Sequence, residues 1–167
     1  SCATAGAAQG VPCKIAFIGN EDGTLDAPSR EACASILSYH PPFKALLKAA
    51  AFGESDIALL GRVNPRDNAS YFYDSKAVAI YTGKIAKYPT PEAALLFTLA
   101  HEIGHAVQDR GGEEAWAQGA PKGDREEEMR RSRVIEAHAD AIAADLLERA
   151  GLADTKAIVA AQEKRFG

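Results

Sequence analysis

The sequence predicts an α+β domain: a small, mostly antiparallel sheet packed on two long helices. Three observations carry that expectation. Short β-branched and aromatic runs crowd the first half of the chain. A helix from Thr90 onward is apolar on nearly every side, so it must be buried on nearly every side. A second long helix begins at Arg125, with acidic residues in its first turn, and ends at Gly151, with one apolar face. At 167 residues the chain fits one domain with a sizeable core, and 47% hydrophobic with 25% charged residues marks it as globular. We read residues 1–12 as a flexible tail and 13–167 as that single domain.

The elements follow in order. "CKIAFIG" (13–19) reads as a first strand closed by Gly19. "NEDGTLDAPS" is a loop by its turn residues. Ser29 caps a helix over "REACASILSYH", broken by Pro41 and Pro42. "FKALLKAAAF" is a second helical piece, with Gly53 closing it. "DIALLGRV" is a strand, "NPRDN" a turn, and "SYFYD" and "KAVAIYT" are two strands joined tightly at Asp74–Ser75. In the long apolar helix Thr90 is the expected N-cap, Pro91 the first helical residue, and Gly111–Gly112 the stop. "EEAWAQGAPKGD" is expected to be a loop, and "TKAIVAAQEKRF" a last helix capped by Asp154.

Charge and cysteine usage narrow the partners. A net charge of −4 and a pI near 5.6 argue against a nucleic-acid binder, and "RRSR" after "REEE" reads as a solvated helix face. No uncharged apolar run approaches the ~18 residues of a membrane span. The start, "SCATAGAAQGVPC", resembles the mature end of a bacterial lipoprotein, which implies export and a lipid anchor at Cys2; a cytoplasmic location is the alternative. In an exported chain Cys13 and Cys33 are the pair open to a disulfide, with Cys2 the odd one. No C-x-x-C spacing is present.

Chemistry concentrates in "TLAHEIGHAVQ", Thr98 to Gln108. At about 100° per residue, His101 and His105 lie a turn apart on one face, so two imidazoles can reach one metal. Glu102 sits about 60° round from His105, able to reach the open position without being a ligand. That is the mechanical content of H-E-x-x-H: two zinc ligands and a general base for a water. Unpaired charge is expensive in a buried helix, and a divalent cation resolves the cost. Gly104 between the ligands allows another element to approach closely.

Catalytic zinc takes three protein ligands, so a third must come from elsewhere. In "VIEAHADAIAADLL" Glu136 and Asp140 lie about 40° apart, inside the apolar arc of Ile135, Ala139, Ile142 and Leu146. Buried carboxylates are rare unless paired or bound to metal. We assign Glu136 as third ligand and Asp140 as acceptor for the remaining ring N–H of His101. His138 points to the opposite face and reads as a surface residue, and the cysteines lie far from the histidines in sequence.

"AHEIGHAVQ" followed some thirty residues later by "EAHAD" resembles the gluzincin zinc metallopeptidases, H-E-x-x-H plus a downstream E-x-x-x-D. The bacterial neutral zinc metallopeptidases and minimal gluzincins are similar, and "YFYDSKAVAIYTGKI" resembles their edge strand. The likeness runs from about residue 70 to residue 150. It implies a zincin-like fold, a Zn2+ cofactor, and an endopeptidase acting on peptide or protein substrates with Glu102 as base. The chain departs in one respect: no His or Tyr follows Asp140 to stabilise an oxyanion, which leaves Tyr73, Tyr81, Tyr88 and Arg133 as candidates.

Overall fold

The computed structural model describes residues 17–18 and 29–152. The tail 1–12, most of the first strand, and the expected helix after Asp154 lie outside the described residues. The element order is β1 (Phe17–Ile18), α1 (Arg30–Ser38), α2 (His40–Ala49), β2 (Ala58–Arg62), β3 (Ala69–Phe72), β4 (Ala77–Tyr81), α3 (Thr82–Lys87), α4 (Ala93–Arg110), α5 (Glu113–Gln118) and α6 (Arg125–Ala150). The α+β class is therefore present, and no described helix is long and apolar enough to cross a membrane.

The sheet is mixed, not mostly antiparallel as expected. Its strand order is β1-β2-β4-β3, with β1–β2 and β2–β4 parallel and only β3–β4 antiparallel. The reason is connection length. β3 and β4 share a tight turn, which enforces a hairpin, whereas α1 and α2 lie between β1 and β2 and form a crossover that returns the chain parallel. The 63–68 link carries the chain past the position of β4 to its far side, so that β3 lies at the edge and β4 returns between β2 and β3. That link is fixed to the start of α3. Thr82 Oγ1 donates to Asn64 O at 2.9 Å and accepts from the Asn64 N–H at 3.0 Å. Gly83 packs so closely there that a Cβ would stand 2.1 Å from Pro65 O. β4, "AVAIY", is buried at every position, as a strand covered on both faces must be.

Helix boundaries show what local signals do and do not control. Ser29 caps α1, accepting from the Ala32 N–H at 3.0 Å. Pro41 and Pro42 do not open a gap. α2 restarts at His40 with proline in its first turn, where no backbone N–H is needed. Its end is made by Ala51 at φ 59°, not by Gly53. α4 begins at Ala93 with Glu92 at the cap, later than Thr90 and Pro91 suggested. The Thr90 carbonyl instead accepts from the buried Tyr39 hydroxyl, as does Tyr88 O, and that pins the entry to α4. α3 starts at Thr82, the last residue of the expected strand, and runs through a stretch given no element, while α5 is a short helix where a loop was expected. α6 matches its expected span, with Asp124 capping the Glu127 N–H and Gly151 left-handed at the end.

α4 runs through the core, burying Leu95, Leu99, Ala100 and Ile103 among others. α6 crosses it closely: a Cβ at Gly104 would meet Ala139 O at 2.9 Å. β3 packs on α4 from another side. Two helices and an edge strand thus converge on the stretch from His101 to His105.

Candidate metal centre

α4 supplies His101, Glu102 and His105, and α6 supplies Glu136 and Asp140. The structure brings all five together. His101 Nε2 lies 3.0 Å from Glu136 Oε2, and His105 Nε2 lies 3.2 Å from Glu136 Oε1. The two rings meet edge to face with centroids 4.6 Å apart. One ligand atom from each of His101, His105 and Glu136 falls within 4.8 Å of the others. Both histidines are buried, while the Glu136 side chain is 47% exposed and opens the centre to solvent.

The donor set could hold a metal ion. His101 Nδ1 stands 2.7 Å from Asp140 Oδ1, the contact expected from sequence. His105 Nδ1 stands 2.9 Å from Gln108 Oε1. Gln108 Nε2 donates to Ile135 O at 2.8 Å, which fixes its amide so that the oxygen faces His105. Both partners are acceptors, so both Nδ1 atoms carry hydrogen, and in a neutral ring each Nε2 then presents a lone pair. Two lone pairs aimed at one carboxylate repel unless something positive lies between them. Ligands ~2.0–2.1 Å from a zinc ion stand roughly 3.3 Å apart in a tetrahedron, close to the two Nε2–carboxylate separations here. The three side chains could therefore hold a metal ion of about that size.

His101 and then His105 hold the Glu136 carboxyl well below the usual carboxylate range. Burial pulls the His105 imidazole down, but its bond to Glu136 and the charges of Glu102 and Glu136 outweigh burial and raise it.

Glu102 stays outside the ligand set. It lines a cleft of about 490 Å³ together with His101, His105 and Glu136. Burial raises its carboxyl above the ordinary value; His101, His105 and the donating Tyr71 backbone N–H oppose that, and Glu136 adds to it. Tyr71 belongs to β3, so the edge strand brings its backbone close to this carboxylate.

No family model matches the chain, and no curated protein does either.

His138 lies on the surface and pairs with Glu113 at 2.7 Å, tying α6 to α5. Cys33 is disulfide-bonded, and the partner lies outside the described residues. Gln108 is the site residue that the wheel reading left without a role. Its signal is present, a lone amide three residues after a ligand on the same helix, where it reaches back to the ring.

Proposed function

We propose that this protein is a zinc-dependent metallopeptidase of the gluzincin type. The observation that carries the reading is a carboxylate, Glu102, beside a convergent His101–His105–Glu136 set but outside it, on the wall of an open cleft. Three protein ligands plus a nearby base is the arrangement of a catalytic zinc; a structural zinc closes with four and has no use for a base. When bound, zinc acidifies a water toward a pKa of ~7 and polarises the carbonyl under attack. The chain's own residues do the rest. Glu102 accepts the proton from the attacking water and passes it to the leaving amine. Its burial makes it a stronger base than a solvated carboxylate. Asp140 and Gln108 hold the two rings and keep hydrogen on Nδ1, so that each Nε2 faces inward. β3 is the edge strand bordering the cleft, and an extended peptide added to it would pass in front of Glu102.

The rival readings are a zinc-binding module without catalysis and a hydrolase of non-peptide amides. A peptide library incubated with zinc-loaded protein, then with a chelator, then with zinc restored, separates them. Cleavage that follows the metal supports the proposal. Zinc-loaded protein that cuts nothing across the library sinks it.

A further inference from the structure

We propose that Tyr73 is the oxyanion donor of this site, an assignment that rests on the metallopeptidase reading. The structure distributes the four candidates unequally. Tyr81 lies against the Arg62 guanidinium, 5.2 Å from it, with its hydroxyl near Ser70. Tyr88 is engaged through its carbonyl by Tyr39 and flanked by Lys84 and Lys87. Arg133 is exposed on α6 and, like those two tyrosines, does not line the cleft. Tyr73 does, together with His101, Glu102 and His105.

Its ring is constrained by a neighbour on β3. Tyr73 lies in the turn just past the end of β3, two residues after Tyr71. The rings meet edge to face at 4.9 Å and 77°, which restricts the Tyr73 ring. The Tyr71 hydroxyl is already committed, donating to Asp109 Oδ2 at 3.1 Å. The Glu114 carboxylate of α5 lies near the Tyr73 hydroxyl, and both residues line the cleft. Burial raises its pKa, and Glu114 and Glu102 raise it further, so the phenol keeps its proton at any working pH. No Lys or Arg lines the cleft among the described residues; Asn68, Gln118 and Ser132 on its rim are exposed, and the half-buried Ser70 hydroxyl lies 3.4 Å from the Tyr81 hydroxyl. As substrate enters, the Tyr73 O–H donates to the carbonyl oxygen, where negative charge develops while Glu102 removes the water's proton. A preorganised donor at that position contributes ~100-fold or more to turnover.

The test compares zinc-loaded wild type with Tyr73→Phe, which keeps the ring and its packing. Two probes are titrated: the phosphinic analogue of Ala-Ala-Ala, whose anionic oxygens replace the attacked carbonyl, and mercaptoacetyl-alanine, which reaches zinc through sulfur. Zinc content and thermal unfolding are read in parallel. Tyr73→Phe should lose about 100-fold in phosphinate affinity and, where peptide is cleaved, a similar factor in kcat with KM little changed. Thiol affinity and zinc content should hold. Phosphinate affinity within about threefold of wild type, or an equal loss for both probes, overturns the assignment, as does a wild type that binds the thiol but not the phosphinate. A wild type that cleaves nothing yet binds phosphinate through Tyr73 leaves the donor standing and fells the peptidase reading instead.

Discussion

Gly104→Ala probes the joint on which the metal centre depends. The added Cβ would stand 2.9 Å from Ala139 O, a backbone atom that cannot rotate away. An ordinary carbon–oxygen contact needs about 3.4 Å, so α6 must retreat from α4 by roughly 0.5 Å. Overpacking of this kind costs about 1–3 kcal/mol, and replacing glycine by alanine inside a helix returns about 1 kcal/mol. The net loss of up to about 2 kcal/mol lowers Tm by no more than roughly 8 °C for a chain of this size. Ala139 lies between Glu136 and Asp140, however, so the retreat draws the third ligand and the His101 acceptor away together. Sites of this kind tolerate about 0.5 Å before they fail. Zinc affinity should fall roughly 10–100-fold, the range seen when a ligand's supporting contact is lost. Chelator competition gives the affinity, and thermal unfolding of metal-free protein gives the stability. A variant that binds zinc within about threefold of wild type while its Tm rises would show that α6 does not rely on this close approach.

Other predictions rest on neighbouring contacts. Gln108→Ala removes the acceptor for His105 Nδ1 and the donor to Ile135 O, and zinc affinity should drop roughly 10–100-fold; unchanged affinity in the same competition assay would refute the role. Asp140→Asn should fall in that range too, through His101, while Glu136→Gln should cost more because an amide supplies no ligand charge. The pH dependence follows from His105. Its pKa is raised in metal-free protein, so a proton competes with zinc, and affinity should climb about tenfold per pH unit per proton displaced as pH rises toward that value. Glu136 is already ionised there and adds no slope. In the metal-free fold the same shift has the opposite sense: the His105 contribution to stability is full below about pH 6.5 and is lost as pH rises through the folded pKa. An affinity that ignores pH between about 5 and 8 would contradict this. Tyr39→Phe leaves Tyr88 O and Thr90 O without their buried donor and should cost about 1–2 kcal/mol, read as a Tm lower by roughly 2–8 °C.

What the sequence made legible divides along physical lines. His101, His105, Glu136 and Asp140 could be placed because helical periodicity is rigid: spacing of four residues fixes a shared face whatever the rest of the chain does. Gly104 could be read as a close approach for the same reason, and Ala139 O is the group that approaches. Strand pairing has no such local rule. That β2 runs parallel to β4 depends on where the 63–68 link is fastened, and Thr82 and Asn64, eighteen residues apart, decide it. The start of α4 shifted because Tyr39, far away in sequence, claims the Thr90 carbonyl. Choosing among four oxyanion candidates needed the cleft itself, since tyrosines at 73, 81 and 88 look alike until the sheet assigns each a side.

The central claim is that His101, His105 and Glu136 hold a catalytic zinc for which Glu102 is the base and not a ligand. Zinc content and peptide cleavage measured on the same preparations of wild type, Glu102→Gln and Glu136→Gln test it most directly. The account predicts about one zinc per chain in wild type, the same zinc with cleavage abolished in Glu102→Gln, and depleted zinc in Glu136→Gln. Glu102→Gln that lost its metal, beside Glu136→Gln that kept both metal and cleavage, would contradict it.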